Sequence, residues 1–515
     1  MHPLAKLDHA HVWHPFTQMR DWLKREPILI TSGKGTVLRD ANGRDYLDAN
    51  SSIWTNLHGH QHPKLNAAIT RQLKKISHSS ALGLANEPAS VLAERLIQAS
   101  SSAPVVEQRG KGEKGKRSRQ IRASASLLPC SFSKVFYSDN GSTALEVALK
   151  LSYEFTRRTR GPKSKPRFLS LAGAYHGDTI GAVSLGQIDL FHRAYSKLLF
   201  KTDRVMAPYC YRCPFNRAKP EREDARAYRK CSWECVGKVE QALTKQKKRG
   251  EPYAAFVFEP LMQGAAGMIP QPSGWLRQTT ALARAHGALL IADEVMTGFG
   301  RTGIAEEKRG KGEKENFSFA PLLLRSPALF ACQHESVQPD FLCLAKGLTG
   351  GYLPMAATLT TQRVFDAFLG EYEEFKTFFH GHSYTGNQLG AAAALASLDL
   401  LQSRASVLAR ARLQRSLHDE LQSLWALPNV GDLRQAGLVV GVELVRNWHT
   451  RDPFELRERA GIRVCEAMAR RGVLTRPVGN VIVLMPPYCT TPAQVQKMVH
   501  ALAESVNETF RNYHV

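Results

Sequence analysis

Residues Phe341 to Ala357 read FLCLAKGLTGGYLPMAA, and the order of residue types in that stretch decides the fold. Four apolar residues of strand length end at an alanine and a lysine, Lys346. Glycines then crowd the turn at Gly347, Gly350 and Gly351 and read as room for a ligand to move. The same grammar recurs upstream. AAFVFEPL ends at Glu259 and Pro260, and ALARAHGALLIADEV passes from a helix end into an apolar run closed by Asp293. Continuous apolar strands separated by helical stretches predict a parallel α/β sheet covered on both faces. In such sheets ligands bind beyond the carboxyl ends of the strands. Glu259, Asp293 and Lys346 all fall at such ends, so one rim gathers three charged groups. A lone lysine in a loop is ordinarily a surface lysine, and only the company it keeps argues for more.

The bulk composition narrows the function classes. The chain has 515 residues, 43% of them hydrophobic, enough for a large core and two lobes. No apolar run predicts a bilayer span, and the first residues lack a signal-peptide pattern, so a soluble, cytoplasmic protein is expected. Nine cysteines scattered through a long chain suit a reducing compartment. The formal charge of +23 raises the question of nucleic acid. Much of the excess sits in EQRGKGEKGKRSRQ, and its hexamer RGKGEK occurs twice, at Arg109–Lys114 and Arg309–Lys314. These read as polar, glycine-rich insertions near residues 105–128 and 305–328. No aromatic residues interleave the first patch, so a nucleic-acid partner is not expected.

Two further stretches carry chemistry. In YSDNGSTALEVALKLS, apolar residues at helical spacing begin just after Gly141, and Asp139, Asn140 and Ser142 are capping types. A helix start of this kind is an anion site, or simply an ordinary cap. In LLIADEVMTGFGRTG, the carboxylate of Asp293 follows four apolar residues and needs a cationic partner: a structural arginine such as Arg301, or a protonated heterocycle. The glycines beside Phe299 read as space for a ligand. A lysine in a partly dry site loses its proton readily and can attack a carbonyl. A phosphate cradle, a carboxylate for a ring nitrogen and an amine for an aldehyde are the parts that pyridoxal phosphate requires.

LLIADEVMTGFGRTG followed by AKGLTGGYLP resembles the signature of the class III pyridoxal-phosphate aminotransferases, over nearly the whole chain apart from the two insertions. HVWHPFTQM, SSIWTNLHGHQHP, YHGDTIGAVSLG, FFHGHSYTGNQLG and GVLTRPVGNVIVLMPP are similar to a narrower group, the 8-amino-7-oxononanoate aminotransferases of biotin synthesis. The resemblance implies fold type I: a large, mainly parallel-sheet domain over 52–402, a smaller α+β domain over 403–515, and an N-terminal segment, 1–51, that joins the small domain. It implies that Lys346 holds the cofactor and moves the proton, that Asp293 pairs with the ring nitrogen, and that Gly141 and Ser142 bind the phosphate. Tyr175 would lie against the ring and the substrate. His382 and Ser383 would reach the phosphate from the second subunit of a homodimer. Ile53, Trp54 and Gly381 would line the substrate, and Arg476 would take its distal carboxylate.

The chain departs from the better-known members at Ile53, where a second tryptophan is frequent, at Phe16, where many have tyrosine, and at GHS in the phosphate segment. These positions border the pocket of the amino donor, which is S-adenosylmethionine in the best-known members and L-lysine in a subgroup. The lost phenolic hydroxyl and the motifs SSIWTNLHGH and FFHGHSYTGNQLG lean toward L-lysine. A class III ω-aminotransferase acting on another diamine or ω-amino acid is the alternative within this chemistry. A nucleic-acid-associated protein with degraded catalytic positions is the alternative outside it. The excursion over 208–236 holds Cys210, Cys213, Cys231 and Cys235 in two close pairs, a candidate structural zinc site or four free thiols.

Overall fold

The computed structural model describes residues 1–101, 132–186, 188–304 and 328–511. Both RGKGEK insertions lie outside the described residues. After two helices, Pro3–His11 and Met19–Trp22, come three short antiparallel strands, β1 (Ile30–Lys34), β2 (Val37–Asp40) and β3 (Asp45–Asp48). The large sheet takes β4 (Phe132–Ser138), β5 (Phe168–Leu171), β6 (Asp203–Val205) and β7 (Ala255–Phe258). A two-residue hairpin follows, β8 (Met262–Gln263) and β9 (Ile269–Pro270), and then β10 (Leu289–Asp293), β11 (Phe341–Leu344) and β12 (Ala356–Thr361).

The order across the large sheet is β4-β12-β11-β10-β7-β5-β6. The five strands from β11 to β6 are parallel, and β12 runs antiparallel to both neighbours. β7, β10 and β11 are buried at every position, as their unbroken apolar runs require of strands covered on both faces. The helix Gly141–Arg160 lies on this sheet, contributing Ala144, Leu145 and Ala148 to a core shared with Ile291, Phe341 and Cys343.

The last part forms a second sheet from β13 (Val430–Ala436), β14 (Val439–Asn447), the short β15 (Asp452–Pro453), β17 (Pro477–Val478) and β18 (Val481–Leu484). One strand of this part, β16 (Val473–Leu474), leaves that sheet and pairs in parallel with β3, matching Leu474 to Asp48. The ladder ties the first fifty residues to the C-terminal part. It also fixes where the chain after Asp48 and the chain after Leu474 run, which matters for the site.

The excursion over 208–236 is fastened by buried charge. The Arg434 guanidinium, fully buried on β13, donates to Asp432 at 2.8 Å and to the Tyr209 hydroxyl at 2.6 Å, and also bonds Glu443 and the carbonyl of Gly267. Arg212 donates to the other Glu443 oxygen at 2.6 Å. Burial pushes the Asp432 carboxyl up to about 6.

Candidate functional site

β7, β10 and β11 deliver Glu259, Asp293 and Lys346 to one rim of the large sheet. Lys346 follows β11 by two residues and has a left-handed φ of 44°. Its amine lies over the Trp54 ring, 4.6 Å from the centroid. Burial pulls the Lys346 ammonium below the ordinary lysine value, against the opposing charges of Asp293 and Glu259. The amine is therefore closer to its neutral, nucleophilic form than a surface lysine would be.

The cationic partner of Asp293 is His176, not Arg301. His176 Nδ1 meets Asp293 Oδ2 at 2.7 Å, and Oδ1 accepts the Val295 N–H at 3.0 Å. Burial opposes a charge on this imidazole, yet the hydrogen bond and charge of Asp293 carry it above the usual histidine range. Arg301 serves the backbone instead. It donates to the carbonyl of Pro486 at 2.9 Å and, at longer range, to those of Trp54 and Asn56. Glu259 accepts the N–H groups of Tyr175 at 3.2 Å and Gly264 at 2.8 Å, and burial pushes its carboxyl up to about 7. The Tyr175 hydroxyl donates to Asp178 at 2.7 Å, and its ring stacks on His192.

The helix at Gly141 begins as its sequence predicts. The Asn140 side chain accepts the Thr143 N–H, and Thr143 returns the bond to the Asn140 backbone, a reciprocal cap. The first N–H groups, at Gly141 and Ser142, have no acceptor within the helix. Ser142 Oγ pairs with Thr179 Oγ1 at 2.8 Å, which brings the loop after Tyr175 onto the helix start. A Cβ on Gly141 would meet Val295 at 2.6 Å, so glycine there lets the helix start approach the chain just after Asp293. His382 Nδ1 lies 2.9 Å from Asp139, two residues before Gly141 in the same chain. The carbonyl of Ser383 accepts from His78. Gly381 is exposed, with open space where a Cβ would stand.

Ile53 and Trp54 sit in a conformation that the sequence did not announce. Ser51, Ser52, Ile53 and Trp54 have φ values of 46°, 47°, 64° and 69°, one turn of left-handed helix built from L-residues. Such a turn costs roughly 1–2 kcal/mol per residue. It aims Trp54 into an apolar cluster of Met262, Met268, Met296, Val439, Val483 and Met485, while Ile53 stays partly exposed. Trp54 Nε1 is buried without a hydrogen-bond partner. Arg476 is exposed and follows β16, two residues beyond the Leu474–Asp48 match.

Two readings of glycine need correction. Gly350 and Gly351, with φ of 66° and 84°, do not open space for a ligand. A Cβ on Gly351 would stand 2.7 Å from the backbone of Thr55 and Asn56, and one on Gly350 would stand 3.0 Å from His58. They let the loop after Lys346 close directly onto the segment that carries Trp54. Gly300 likewise packs against the Arg410 guanidinium rather than leaving room for a ligand.

The structure brings the two cysteine pairs together. Cys210, Cys213, Cys231 and Cys235 line one small apolar cavity with Arg229 and Trp233. Among the described residues, no group of three or more His, Cys, Asp or Glu side chains could hold a metal ion. Arg229 donates to Cys231 Sγ at 3.1 Å, so a guanidinium supplies the positive charge there. His176 and Asp48 are the site residues that motif reading missed. The only signal for His176 was its place beside Tyr175 in YHGDT.

Comparison with known proteins places these features in a family. The class-III aminotransferase family description matches residues 19–310 and 323–506. A Geobacter sulfurreducens protein named adenosylmethionine-8-amino-7-oxononanoate aminotransferase is 44% identical over 98% of this chain and 97% of its own length. An Aquifex aeolicus protein of the same name is 39% identical over 98% and 97%. The crystal structure of the Methanocaldococcus jannaschii protein of that name is 35% identical, covers 98% of both chains and superposes with a TM-score of 0.80. The chain belongs to the class III aminotransferases.

Proposed function

We propose that the protein transfers an amino group to 8-amino-7-oxononanoate, giving 7,8-diaminononanoate, with pyridoxal phosphate held at Lys346. The donor is S-adenosylmethionine or L-lysine. The names of the full-length relatives support the acceptor. The observation that carries the reading is the β3–β16 ladder. It pairs the strand just before the turn of Ile53 and Trp54, the latter packed on the methionine cluster, with the strand that leads to the Arg476 guanidinium. A substrate with a long apolar chain and a distal carboxylate fits that pairing.

The residues present fit the cofactor. The uncapped N–H groups of Gly141 and Ser142 suit a phosphate. Asp293, held by His176 and the Val295 N–H, suits a protonated ring nitrogen. Lys346, depressed by burial, suits an aldehyde. When bound, the cofactor supplies the electron sink for deprotonation of the carbon that bears the amine. The chain's own residues do the rest. Lys346 Nζ holds and delivers the proton on the Trp54 side of the rim. His176 orients Asp293. Tyr175, tied to Asp178, borders the donor. Burial by Trp54 and the methionine cluster keeps water from the amine.

Class III enzymes of this reading work as homodimers, with His382 and Ser383 facing the second subunit. The exposed apolar groups around Ser383 support a partner there: Leu82 is 92% exposed and Phe379 is 73% exposed, with Tyr384 packed on His78. No helix among the described residues is long and apolar enough to cross a membrane. The relatives are named for adenosylmethionine, whereas Phe16, packed edge-on to Phe191 at 5.3 Å, offers a donor no hydroxyl. Mass spectrometry of the cofactor-loaded protein with 8-amino-7-oxononanoate and each donor in turn tests the reading. Diaminononanoate formed with one donor identifies it. No product with either donor, from protein that still carries its yellow cofactor, turns the reading to the broader ω-aminotransferases.

A further inference from the structure

We infer that Asp48 is a positioning residue: it holds the left-handed turn Ser51–Trp54 in place, and through that turn sets the Trp54 ring against Lys346. Four consecutive L-residues with φ between 46° and 69° do not persist unless the surroundings over-determine them. Asp48 supplies most of that determination from one carboxylate. Oδ1 accepts the Ser52 N–H at 3.0 Å and the Asn50 N–H at 3.3 Å. Oδ2 accepts the Ser52 hydroxyl at 2.9 Å and faces His60 Nε2 at 3.0 Å. Ser52 is thus clamped through both its backbone and its side chain in the middle of the unfavourable run.

The clamp is itself fixed. Asp48 is 2% exposed, stands in register with Leu474, and its N–H donates to the Thr36 carbonyl at 2.8 Å. The turn is tied elsewhere at its ends and by Thr55, whose hydroxyl donates to the Ser52 carbonyl at 3.0 Å. Ser51 Oγ donates to the Met485 carbonyl at 2.7 Å, and Arg301 reaches the Trp54 carbonyl at 3.4 Å. Arg301 is fully buried. Losing Asp48 therefore loosens the turn in its middle. The same residue sits on the ladder that leads to Arg476, so it sets the Trp54 wall relative to the carboxylate-binding end.

The inference rests on Trp54 bordering the substrate of the proposed reaction, and the test separates the two. In the cofactor-free Asp48→Ala protein, a crystal structure is expected to show residues 51–54 out of the left-handed region and Trp54 displaced from Lys346. That readout needs no substrate. In the loaded enzyme, KM for 8-amino-7-oxononanoate is expected to rise about tenfold or more, with a smaller change in kcat. Asp48→Asn keeps an acceptor for the Ser52 N–H and is expected to restore most of the loss. If Asp48→Ala does not fold, Ser52→Ala removes the hydroxyl arm alone, and an increase in KM of about threefold is expected. A variant with the turn and Trp54 unmoved, or a KM equal to the native value in Asp48→Ala (or in Ser52→Ala where that is the variant that folds), overturns the inference. A purely structural role would lower the melting temperature without moving KM or the Trp54 ring.

Discussion

Two clusters of buried charge sit in this molecule, and they are built to opposite ends. Around Arg434 one guanidinium is closely surrounded, and of its carboxylates Asp432 Oδ1 alone lacks a hydrogen-bond partner among the described residues. Asp432, Glu443, Tyr209 and the Gly267 carbonyl surround one guanidinium, and Arg212 takes the remaining Glu443 oxygen. Around Lys346 the charges are held at a distance. Asp293 and Glu259 act on the amine through charge alone, and each carboxylate is occupied by other donors. A closed network gains rigidity and joins the 208–236 excursion to the C-terminal sheet. An open one leaves an amine free for chemistry, and carries a cost in stability that its surroundings must offset.

The sharpest way to break the contrast is to remove each centre in turn. Lys346→Ala is expected to lower turnover roughly 10⁴-fold or more, since the residue both holds the cofactor and moves the proton. The melting temperature of the cofactor-free protein should hold or rise, because a buried amine without a full partner is gone. Residual turnover near the native rate would sink the catalytic assignment. Arg434→Met should do the reverse. It leaves Asp432 buried without its cation and Glu443 with Arg212 alone, a loss of about 3–5 kcal/mol in stability. The midpoint in urea should fall, while the rate per folded active site changes little.

Asp293→Asn sharpens the comparison inside the open cluster. The amide keeps its shape and the Val295 contact but cannot pair with a protonated ring nitrogen or hold His176 charged. A loss in kcat of about 10²–10³-fold is expected, with little change in KM. A loss confined to KM would mean that Asp293 merely shapes the pocket.

How far these clusters were legible in sequence follows from the range of their contacts. Glu259, Asp293 and Lys346 could be read because each ends a continuous apolar run, and a parallel sheet lines such ends up on one rim. His176 could not, because its tie to Asp293 spans 117 residues and no local pattern encodes it. The left-handed turn was invisible for a related reason. Nothing in SSIW favours positive φ, and the conformation is imposed by Asp48 and Met485 from outside the run. The glycines misled in the opposite direction. Their spacing read as openness, but Gly300 and Gly351 are small because Arg410 and Asn56 press against them.

Burial leaves a pH signature that distinguishes the clusters more gently. Glu294, next to Asp293, accepts the N–H groups of Ala331 at 2.6 Å and Cys332 at 2.8 Å, and burial pushes its carboxyl up to about 7. Its folded value lies above its unfolded one, so the folded state binds the extra proton between about 4.5 and 7. Stability from this group is full below that window and is lost as pH rises through it. Glu259, also pushed up to about 7, adds to the slope. Glu294→Gln should flatten the fall by roughly 1 kcal/mol per pH unit at most, read from melting temperatures between pH 4.5 and 7. An unchanged slope would show that the carboxylate stays ionised on its two N–H donors.

The smallest effect is expected where a third group, the four half-buried to buried cysteines, was a candidate for metal. In the metal-free protein, burial pushes the Cys210 thiol up to about 12 and the Cys235 thiol up to about 11, whereas a bound zinc ion would deprotonate them. Arg229 already sits on Cys231 Sγ. Chelator treatment under reducing conditions should therefore leave the melting temperature within about 1 °C, and elemental analysis should find no stoichiometric zinc. The nearby Arg434 network, rather than a metal, then holds the excursion. Arg212→Ala should loosen it measurably, because it frees one Glu443 oxygen. Stoichiometric zinc, with unfolding on its removal, would reverse that order. It would mean that the excursion is fastened by its own cysteines and that the charge network only follows.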